Sequence, residues 1–244
     1  AARQSQCIDD LHRALETALE AGKWYLAPAP GKSHSGSLAM IASLLADAGY
    51  SKTPVLRSEL LQRDKLSSNS MAALRELGHA MVKTPAEPQL GITQYPAELG
   101  LYLTILKPFG LHRRLANGLY GFAEPDESHQ GLSLRPAWSI IEDAANDNLA
   151  DVFERWAAPP YGLKAGVMPV IALAYILAKR ENIAVYIDGI FQPSIDDIVV
   201  DKLLQKPALF RLRRVDRSVR EAAFLSELAQ KLGLNGDSAS LPVA

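Results

Sequence analysis

The chain has 244 residues, which is enough for one large domain or two small ones. Its 48% hydrophobic and 22% charged residues are ordinary for a globular protein, and an aromatic content of 7% favours helix over an all-β sandwich. Because 26 Lys and Arg are balanced by 27 Asp and Glu, the composition argues against a dedicated nucleic-acid binder, and any such role must come from local patches.

Cys7 is the only cysteine, so an internal disulfide and a cysteine-rich zinc site are excluded. The apolar run at 167–178 is too short to span a bilayer, and residues 1–15 lack the regions of a signal peptide. We therefore expect a cytoplasmic protein. Because the sequence starts at AARQSQ without Met, we also expect it to be a fragment of something larger or a processed chain.

The first predicted elements are two helices separated by a loop. A helix over 8–22 carries an apolar stripe made of Ile8, Leu11, Leu15 and Leu19. The stretch that follows is rich in Gly, Ser and Pro and predicts a turn or exposed loop. A second helix is predicted over 38–48, with Ser37 as its N-cap.

Residues 53–83 predict a helix-turn-helix. A short first helix opens at Thr53-Pro54, and Ser67 or Ser68 caps a longer second helix. The apolar stripe of that second helix consists of Met71, Leu74, Leu77 and Met81. A neighbouring face carries three basic residues at i, i+4 and i+8, which are Arg75, His79 and Lys83. With helix 38–48, this makes the three short helices of a helix-turn-helix core.

The middle of the chain predicts a linker, a helix and a hairpin. The stretch 84–96 has three prolines and is the best linker candidate. A helix over 96–109 follows, with one apolar side made of Leu99, Tyr102, Leu103 and Leu106. Asn117-Gly118 is a strong signal for a two-residue hairpin. A polar loop at 124–131 then precedes two helices, predicted at 136–145 and 149–157.

Residues 159–214 predict a helix, a tight hairpin that turns on Asp188-Gly189, a second helix and a returning strand. Pro169 falls in the first turn of the first helix (166–180), where proline is tolerated. This order is the pattern of a winged-helix unit. An amphipathic helix follows over 215–233, and the tail after Gly233 is expected to fray.

These elements define the predicted fold, which is mainly α with small β-hairpins arranged as tandem winged-helix-like, or helix-turn-helix, units. We divide the chain into an N-terminal helix-turn-helix unit (1–90), a helix with a wing-like hairpin and loop (91–134), a C-terminal winged-helix-like unit (135–234) and a flexible tail (235–244).

The sequence offers no convincing catalytic motif. Gly31-Lys32-Ser33 invites a phosphate-loop interpretation, but Leu26 stands where that loop needs a glycine. The five histidines lack metal-ligand spacing, and each is expected to be a surface or wing residue. Asp196-Asp197, with Asp201, sits at a predicted helix start, where carboxylates favour the helix dipole. We predict no catalytic residue, no cofactor and no metal.

The candidate binding residues are basic side chains in three places: Arg75, His79 and Lys83 on the helix of the helix-turn-helix, Arg113 and Arg114 on the first hairpin, and Arg211, Arg213, Arg214 and Arg217 after the second hairpin. In a strand, Arg211 and Arg213 share one face. A nucleic-acid role would have these residues contact phosphates. The alternative is a solvated edge strand, which arginine protects from unwanted pairing.

Two stretches, TPVLRSELLQRDKLSS (53–68) and APPYGLKAGVMPV (158–170), the second running into AVYIDGIFQP, resemble the non-catalytic helical and winged-helix segments of large bacterial P-loop ATPases found in phage-defence gene clusters. The resemblance implies a role in DNA engagement, subunit assembly or relay of nucleotide state. The ATPase motif of that family has no match here, so the resemblance transfers no catalytic residue.

Three functions follow as hypotheses. The first is a non-enzymatic winged-helix-type domain of a larger protein, which binds double-stranded DNA or serves as a regulatory or assembly module with other subunits or domains of an ATPase. The second is a protein-interaction scaffold that uses an apolar face and does not bind nucleic acid. The third is an enzyme whose site is assembled from distant residues.

Overall fold

The structure is a computed structural model that describes residues 2–22, 24–25, 33–34, 37–56, 66–144 and 147–215. The chain forms two compact units, Ala1–Ser51 and Lys52–Ala244. The predicted division into segments 1–90, 91–134, 135–234 and 235–244 stays a prediction. No helix in the described part of the chain combines the length and apolar character needed to cross a bilayer.

The first unit contains two helices and a minimal hairpin. Its elements are α1 (Ala2–Glu20), β1 (Trp24–Tyr25), β2 (Ser33–His34) and α2 (Leu38–Gly49). The Ser37 side chain accepts a hydrogen bond from the Met40 amide, which confirms the predicted N-cap. Between the helices, β1 pairs antiparallel with β2, where only a loop was predicted.

The second unit is mostly helical with two small antiparallel sheets. Its helices are α3 (Ser68–Lys83), α4 (Ala97–Leu101), α5 (His129–Asp143), α6 (Leu149–Ala157), α7 (Met168–Ala178) and α8 (Asp197–Gln205). Its strands are β3 (His112–Arg114), β4 (Tyr120–Phe122), β5 (Ile183–Ile187), β6 (Ile190–Gln192) and β7 (Phe210–Arg214). Short 3-10 turns occupy Pro88–Gly91 and Pro207–Leu209.

Helix α7 is the centre of the core. It is apolar on every side, and all of its residues from Met168 to Ile176 are buried. Because such a helix must be covered all around, α3, α5 and α8 pack against it. Pro169 lies in its first turn, as predicted, where the missing N–H breaks no hydrogen bond.

The three-stranded sheet has the order β6-β5-β7, and all pairs are antiparallel. Asp188 and Gly189 form a two-residue turn with φ of 51° and 77°, which joins the opposed pair Ile187 and Ile190. Positive φ at both positions is the type I′ geometry that suits an Asp-Gly hairpin, so the predicted turn is confirmed. Strand β7 returns to pair with β5, which confirms the predicted order of elements in this segment.

Helix α3 confirms the second helix of the predicted helix-turn-helix. Ser67 caps it and accepts a hydrogen bond from the Ser70 amide at 3.1 Å. Leu74, Leu77 and Met81 are buried, as the apolar stripe predicts. The first helix is not seen where it should begin, because residues 53–56 form no helix. The rest of it, at 57–65, lies outside the described residues.

Helix α5 begins earlier than predicted. Ser128 caps it and accepts a hydrogen bond from the Gly131 amide at 3.0 Å, so Pro136 lies inside the helix and not at its start. Of the polar stretch at 124–131, which was predicted to be a loop, residues 124–128 form no helix, and only residues 129–131 belong to the first turn of α5. Burial of Gly131 and Leu134 favours this extension despite the proline.

Helix α4 continues as a π-helical turn over Tyr102–Leu106, closed by the Lys107 amide on the Tyr102 carbonyl at 3.0 Å. The wider turn shifts the buried face, so Ile105 is buried and Leu103 is 39% exposed. The predicted inward position of Leu103 is therefore wrong.

The Asn117-Gly118 hairpin is present but has a longer loop than predicted. Leu115 donates its amide to the Leu119 carbonyl at 2.8 Å, and Gly118 has a φ of 84°. Three residues therefore lie in the loop, and Gly118 takes the left-handed position of a bulge.

The stretch 84–96 was predicted to be a linker. It is not a free linker, because Leu90 is buried and its carbonyl accepts a hydrogen bond from the Thr84 hydroxyl.

Helices α3 and α8 approach each other closely at Gly78, and this contact gives the first prediction. A Cβ there would lie 2.5 Å from Cγ1 of Val200, a β-branched side chain with little rotamer freedom. We expect Gly78→Ala to lower the free energy of unfolding by about 1–3 kcal/mol in urea titrations. The control is Gly100→Ala on α4, where a Cβ meets nothing within 4 Å. Better helix propensity should leave that variant unchanged or stabilised by up to about 1 kcal/mol. Equal effects of the two changes would contradict the close contact.

Candidate nucleic-acid interface

The three basic residues of α3 are paired with carboxylates of α8. Arg75 contacts Asp201 through two of its nitrogens, one of them Nε at 2.7 Å from Oδ1. His79 Nε2 lies 3.0 Å from the same Oδ1, and Lys83 Nζ lies 2.5 Å from Oδ2 of Asp197. The hydrogen bond from Arg75 is the largest cause of a lowered pKa at Asp201. A phosphate would have to compete with these carboxylates, so α3 does not present a free basic face.

The start of α8 explains the acidic cluster noted in the sequence. Asp196 is the N-cap, and its Oδ1 accepts the Val199 amide at 3.0 Å. This confirms the capping interpretation of Asp196-Asp197. Asp197 and Asp201 then follow at i and i+4 on the side of α8 that meets α3. These two carboxylates therefore form ion pairs that link α8 to α3.

The arginines of the first hairpin are bound to backbone carbonyls. Arg113 Nη1 donates to the carbonyls of Gly110 and Glu124, the latter at 2.7 Å. Arg114 Nε donates to the Gly118 carbonyl at 2.8 Å. Both side chains thus brace the ends and loop of the β3–β4 hairpin, although Arg114 stays exposed.

His112, next to these arginines, was expected to be a surface or wing residue; it does lie on the β3–β4 hairpin, but it is buried, so a place at the surface is wrong. Its Nε2 lies 2.9 Å from the Pro85 carbonyl, which only accepts, so Nε2 carries the proton. Nδ1 then accepts from the Tyr102 hydroxyl at 3.1 Å. Burial lowers the pKa of His112 and raises the pKa of Tyr102 to about 12, so both groups are neutral near pH 7. Burial along β3 does not alternate, since His112 is buried and Arg114, two residues later on the same face, is exposed, so no local pattern placed His112 inside.

Strand β7 places its arginines on two faces. Phe210 and Leu212 are buried, whereas Arg211 and Arg213 are exposed on the opposite face, as the alternation predicts. Arg214 pairs with Ile183 in the register and belongs to the face of Leu212. Arg217 lies outside the described residues.

Arg211 and Arg213 have no carboxylate partner in the part of the chain that the structure describes. Arg75 and Lys83 differ in this respect. The Arg75 guanidinium group pairs with Asp201, and the Lys83 ammonium group pairs with Asp197. In the register, Arg211 is opposite Tyr186 of β5, and Tyr186 is in turn opposite Phe191 of β6. The outer face of the sheet thus combines arginines with two aromatic rings.

Tyr186 and Phe191 were not among the residues singled out from the sequence. The signal was nevertheless present, because a two-residue turn at Asp188-Gly189 fixes which residues are opposed on the two strands. Counting outward from that turn pairs Ile187 with Ile190 and then Tyr186 with Phe191, as observed. Arg211 is opposite Tyr186 because β7 returns to pair with β5. This register is set by a long-range contact, so it could not be derived by counting residues from the turn.

An open groove of about 370 Å³ beside α3 bears on the enzyme hypothesis. Its polar lining includes His79 and Lys83, held by α8, and Thr84, whose hydroxyl donates to the Leu90 carbonyl at 2.7 Å. Because these three side chains are engaged in contacts within the protein, we assign no catalytic role to the groove. Among the described residues, no three His, Cys, Asp or Glu side chains converge where a metal ion could bind.

Comparisons with known proteins identify no relative: no protein-family model, curated protein or solved structure matches the chain.

Buried, neutral His112 predicts a pH dependence of stability. Its pKa is lowered in the folded protein, so the unfolded chain binds the proton first as pH falls below about 6.5. Stability should therefore decrease below that pH, with a slope of up to about 1.4 kcal/mol per pH unit. We expect His112→Gln, measured by urea unfolding between about pH 7 and 5, to be less stable at pH 7 but to show a shallower slope than the wild type. The exposed His129 provides the matched control for the loss of a histidine at the surface, so the slope of the His112 variant is compared with that of His129→Gln. A parallel slope in the His112 variant would contradict this assignment.

Proposed function

We propose that this chain is a non-enzymatic nucleic-acid-binding module of a larger protein, and that exposed arginines of β7 make the phosphate contacts. The observation that carries the proposal is the contrast among the predicted basic residues. Those of α3 and of the first hairpin are bound by carboxylates or carbonyls, whereas Arg211 and Arg213 point outward together without a carboxylate partner among the described residues. A guanidinium group in that position is suited to a phosphate.

The near-neutral charge of the chain fits a local binding patch better than a whole basic surface. Two arginines spaced two residues apart on one face of a strand are about 7 Å apart along it, given the rise per strand residue. Neighbouring phosphates of one nucleic-acid strand are separated by a comparable distance. The patch therefore provides positioning contacts and no reading of base sequence by itself.

The order α7–β5–β6–α8–β7 supports a winged-helix-like unit, in which the Asp188-Gly189 hairpin would be the wing. The larger protein we propose is a cytoplasmic P-loop ATPase, on the resemblance of residues 53–68 and 158–170 to the non-catalytic segments of such proteins. In that setting the module would engage DNA, assemble with other domains of the ATPase, or relay its nucleotide state.

The arginine patch is tested by the salt dependence of binding. We expect the full chain to bind labelled DNA at low salt, and the affinity to fall steeply as salt is added because bound phosphates release counterions. Arg211→Gln together with Arg213→Gln should weaken binding and reduce the log–log salt slope by roughly 0.7–0.9 per lost contact, measured by fluorescence anisotropy. Lys202→Gln is the control, since Lys202 is an exposed cation on α8. No binding at low salt, or an unchanged slope in the arginine variant, would refute the proposal.

A second candidate function, a protein-interaction scaffold, is favoured by α1. The apolar stripe predicted from the sequence is present on this helix, but it faces solvent: Ile8, Leu11, Leu15 and Leu19 are 54%, 58%, 50% and 39% exposed. Four exposed apolar residues at helical spacing form the type of face that packs against another helix. The simplest partner to test is a second copy of the chain.

This candidate predicts self-association through α1. Leu11→Glu with Leu15→Glu places charges on the stripe and should shift the mass measured by light scattering from dimer to monomer, with little loss of stability because both side chains are exposed. Thr17, on the opposite side of α1, offers the control Thr17→Glu. A wild-type chain that remains monomeric at high concentration would exclude self-association.

A further inference from the structure

The outer face of the three-stranded sheet carries a row of side chains that crosses every strand. In the register, Phe191 of β6 is opposite Tyr186 of β5, and Tyr186 is opposite Arg211 of β7. Opposed residues point to the same face, so these three side chains lie side by side. With strands about 4.8 Å apart, the row is about 10 Å long. We call Phe191, Tyr186 and Arg211 the aromatic row.

The two rings of the aromatic row are available to a ligand. Phe191 is 38% exposed and Tyr186 is partly exposed. Their ring centroids are 5.8 Å apart and their planes are inclined by 56°, so the rings are in contact but do not stack face to face. Each ring can therefore offer a face to another planar group. Arg211 and Arg213, on the same side of the sheet, supply charge next to the rings.

We infer that the ligand of this face is a single-stranded nucleic acid, whose bases stack on Tyr186 and Phe191 while its phosphates contact Arg211 and Arg213. The inference rests on the proposed function and deepens it. In a duplex the base faces are covered by neighbouring bases, so a duplex would use the arginines and leave the rings without a role. Unpaired bases have free faces, and stacking on aromatic side chains is the main sequence-tolerant contact of single-strand binders.

One carboxylate opposes this arrangement. Asp188, in the hairpin turn two residues after Tyr186, is exposed and has a φ of 51°. Its negative charge disfavours a phosphate backbone close to the row. Asp188→Asn removes the charge and retains the turn, because Asn-Gly suits type I′ geometry as well as Asp-Gly. The substitution should therefore strengthen single-strand binding a few-fold without changing the fold.

The experiment measures binding of the full chain by fluorescence anisotropy. It compares a labelled oligothymidine strand with the duplex that this strand forms with oligodeoxyadenosine of the same length. We expect the single strand to bind at least tenfold more tightly. Tyr186→Ile and Phe191→Ile remove the rings and replace them by a β-branched, apolar residue that suits a strand. Each should weaken single-strand binding about tenfold. Their salt slopes should stay unchanged, because they remove no charge.

Two further arms separate stacking from a general loss of structure. An abasic strand of the same length should bind the wild type and both Ile variants equally, since it has no bases to stack. Tyr186→Phe and Phe191→Tyr should restore tight single-strand binding. In Phe191→Trp, addition of the single strand should quench the new tryptophan emission relative to wild type, and addition of duplex should not.

The outcomes distinguish this inference from the proposed function. If both DNAs bind equally, or the Ile variants bind the single strand normally, while the arginine substitutions still weaken binding, stacking is refuted and the arginine patch stands. If neither DNA binds at low salt, both proposals fail. A protein partner is then the remaining hypothesis for the outer face of the sheet.

Discussion

Helix α7 sets the arrangement of the second unit because it has no polar side. Every residue from Met168 to Ile176 is buried, and a helix of this kind must be surrounded by other elements. Since α3 and α8 both cover it, they also meet each other, and their approach is close enough that a Cβ at position 78 would lie 2.5 Å from Val200. The polar flanks of the two helices then face one another, which brings Arg75 to Asp201. The ion pairs are thus a consequence of how an apolar helix is covered.

This packing decides which basic residues are available for binding. A cation that is hydrogen-bonded to a carboxylate gains little by exchanging it for a phosphate, because it exchanges one anion for another. The basic residues of α3 are in that position, as Arg75 and His79 share Asp201. The arginines of β7 are different, because strand alternation turns Arg211 away from the core that buries Leu212. For the nucleic-acid binding that we propose, a mode that uses the sheet therefore fits the structure better than a recognition-helix mode through α3.

Local chemistry predicted much of the fold, and long-range packing accounts for the rest. The cap at Ser37 and the Asp188-Gly189 turn depend on neighbouring residues, so the sequence alone identifies them, and it narrows the cap of α3 to Ser67 or Ser68. The start of α5 could not be found in this way, because burial of Leu134 outweighs the helix-breaking signal of Pro136. The pairing of α3 with Asp201 joins residues more than 120 positions apart, as for Arg75 and Asp201 at 126. No local pattern reports such a contact.

The outer face of the sheet shows how the core and the candidate interface depend on each other. Side chains alternate along a strand, so a shift of β7 by one residue would turn Arg211 inward and Leu212 outward. Burial of Phe210 and Leu212 makes such a shift costly and fixes the register. The Asp188-Gly189 turn fixes the register of β6 on β5, which places Tyr186 opposite Phe191. A row of two rings and a guanidinium group therefore needs no dedicated scaffold, because the same apolar residues that stabilise the sheet determine which side chains face the solvent together.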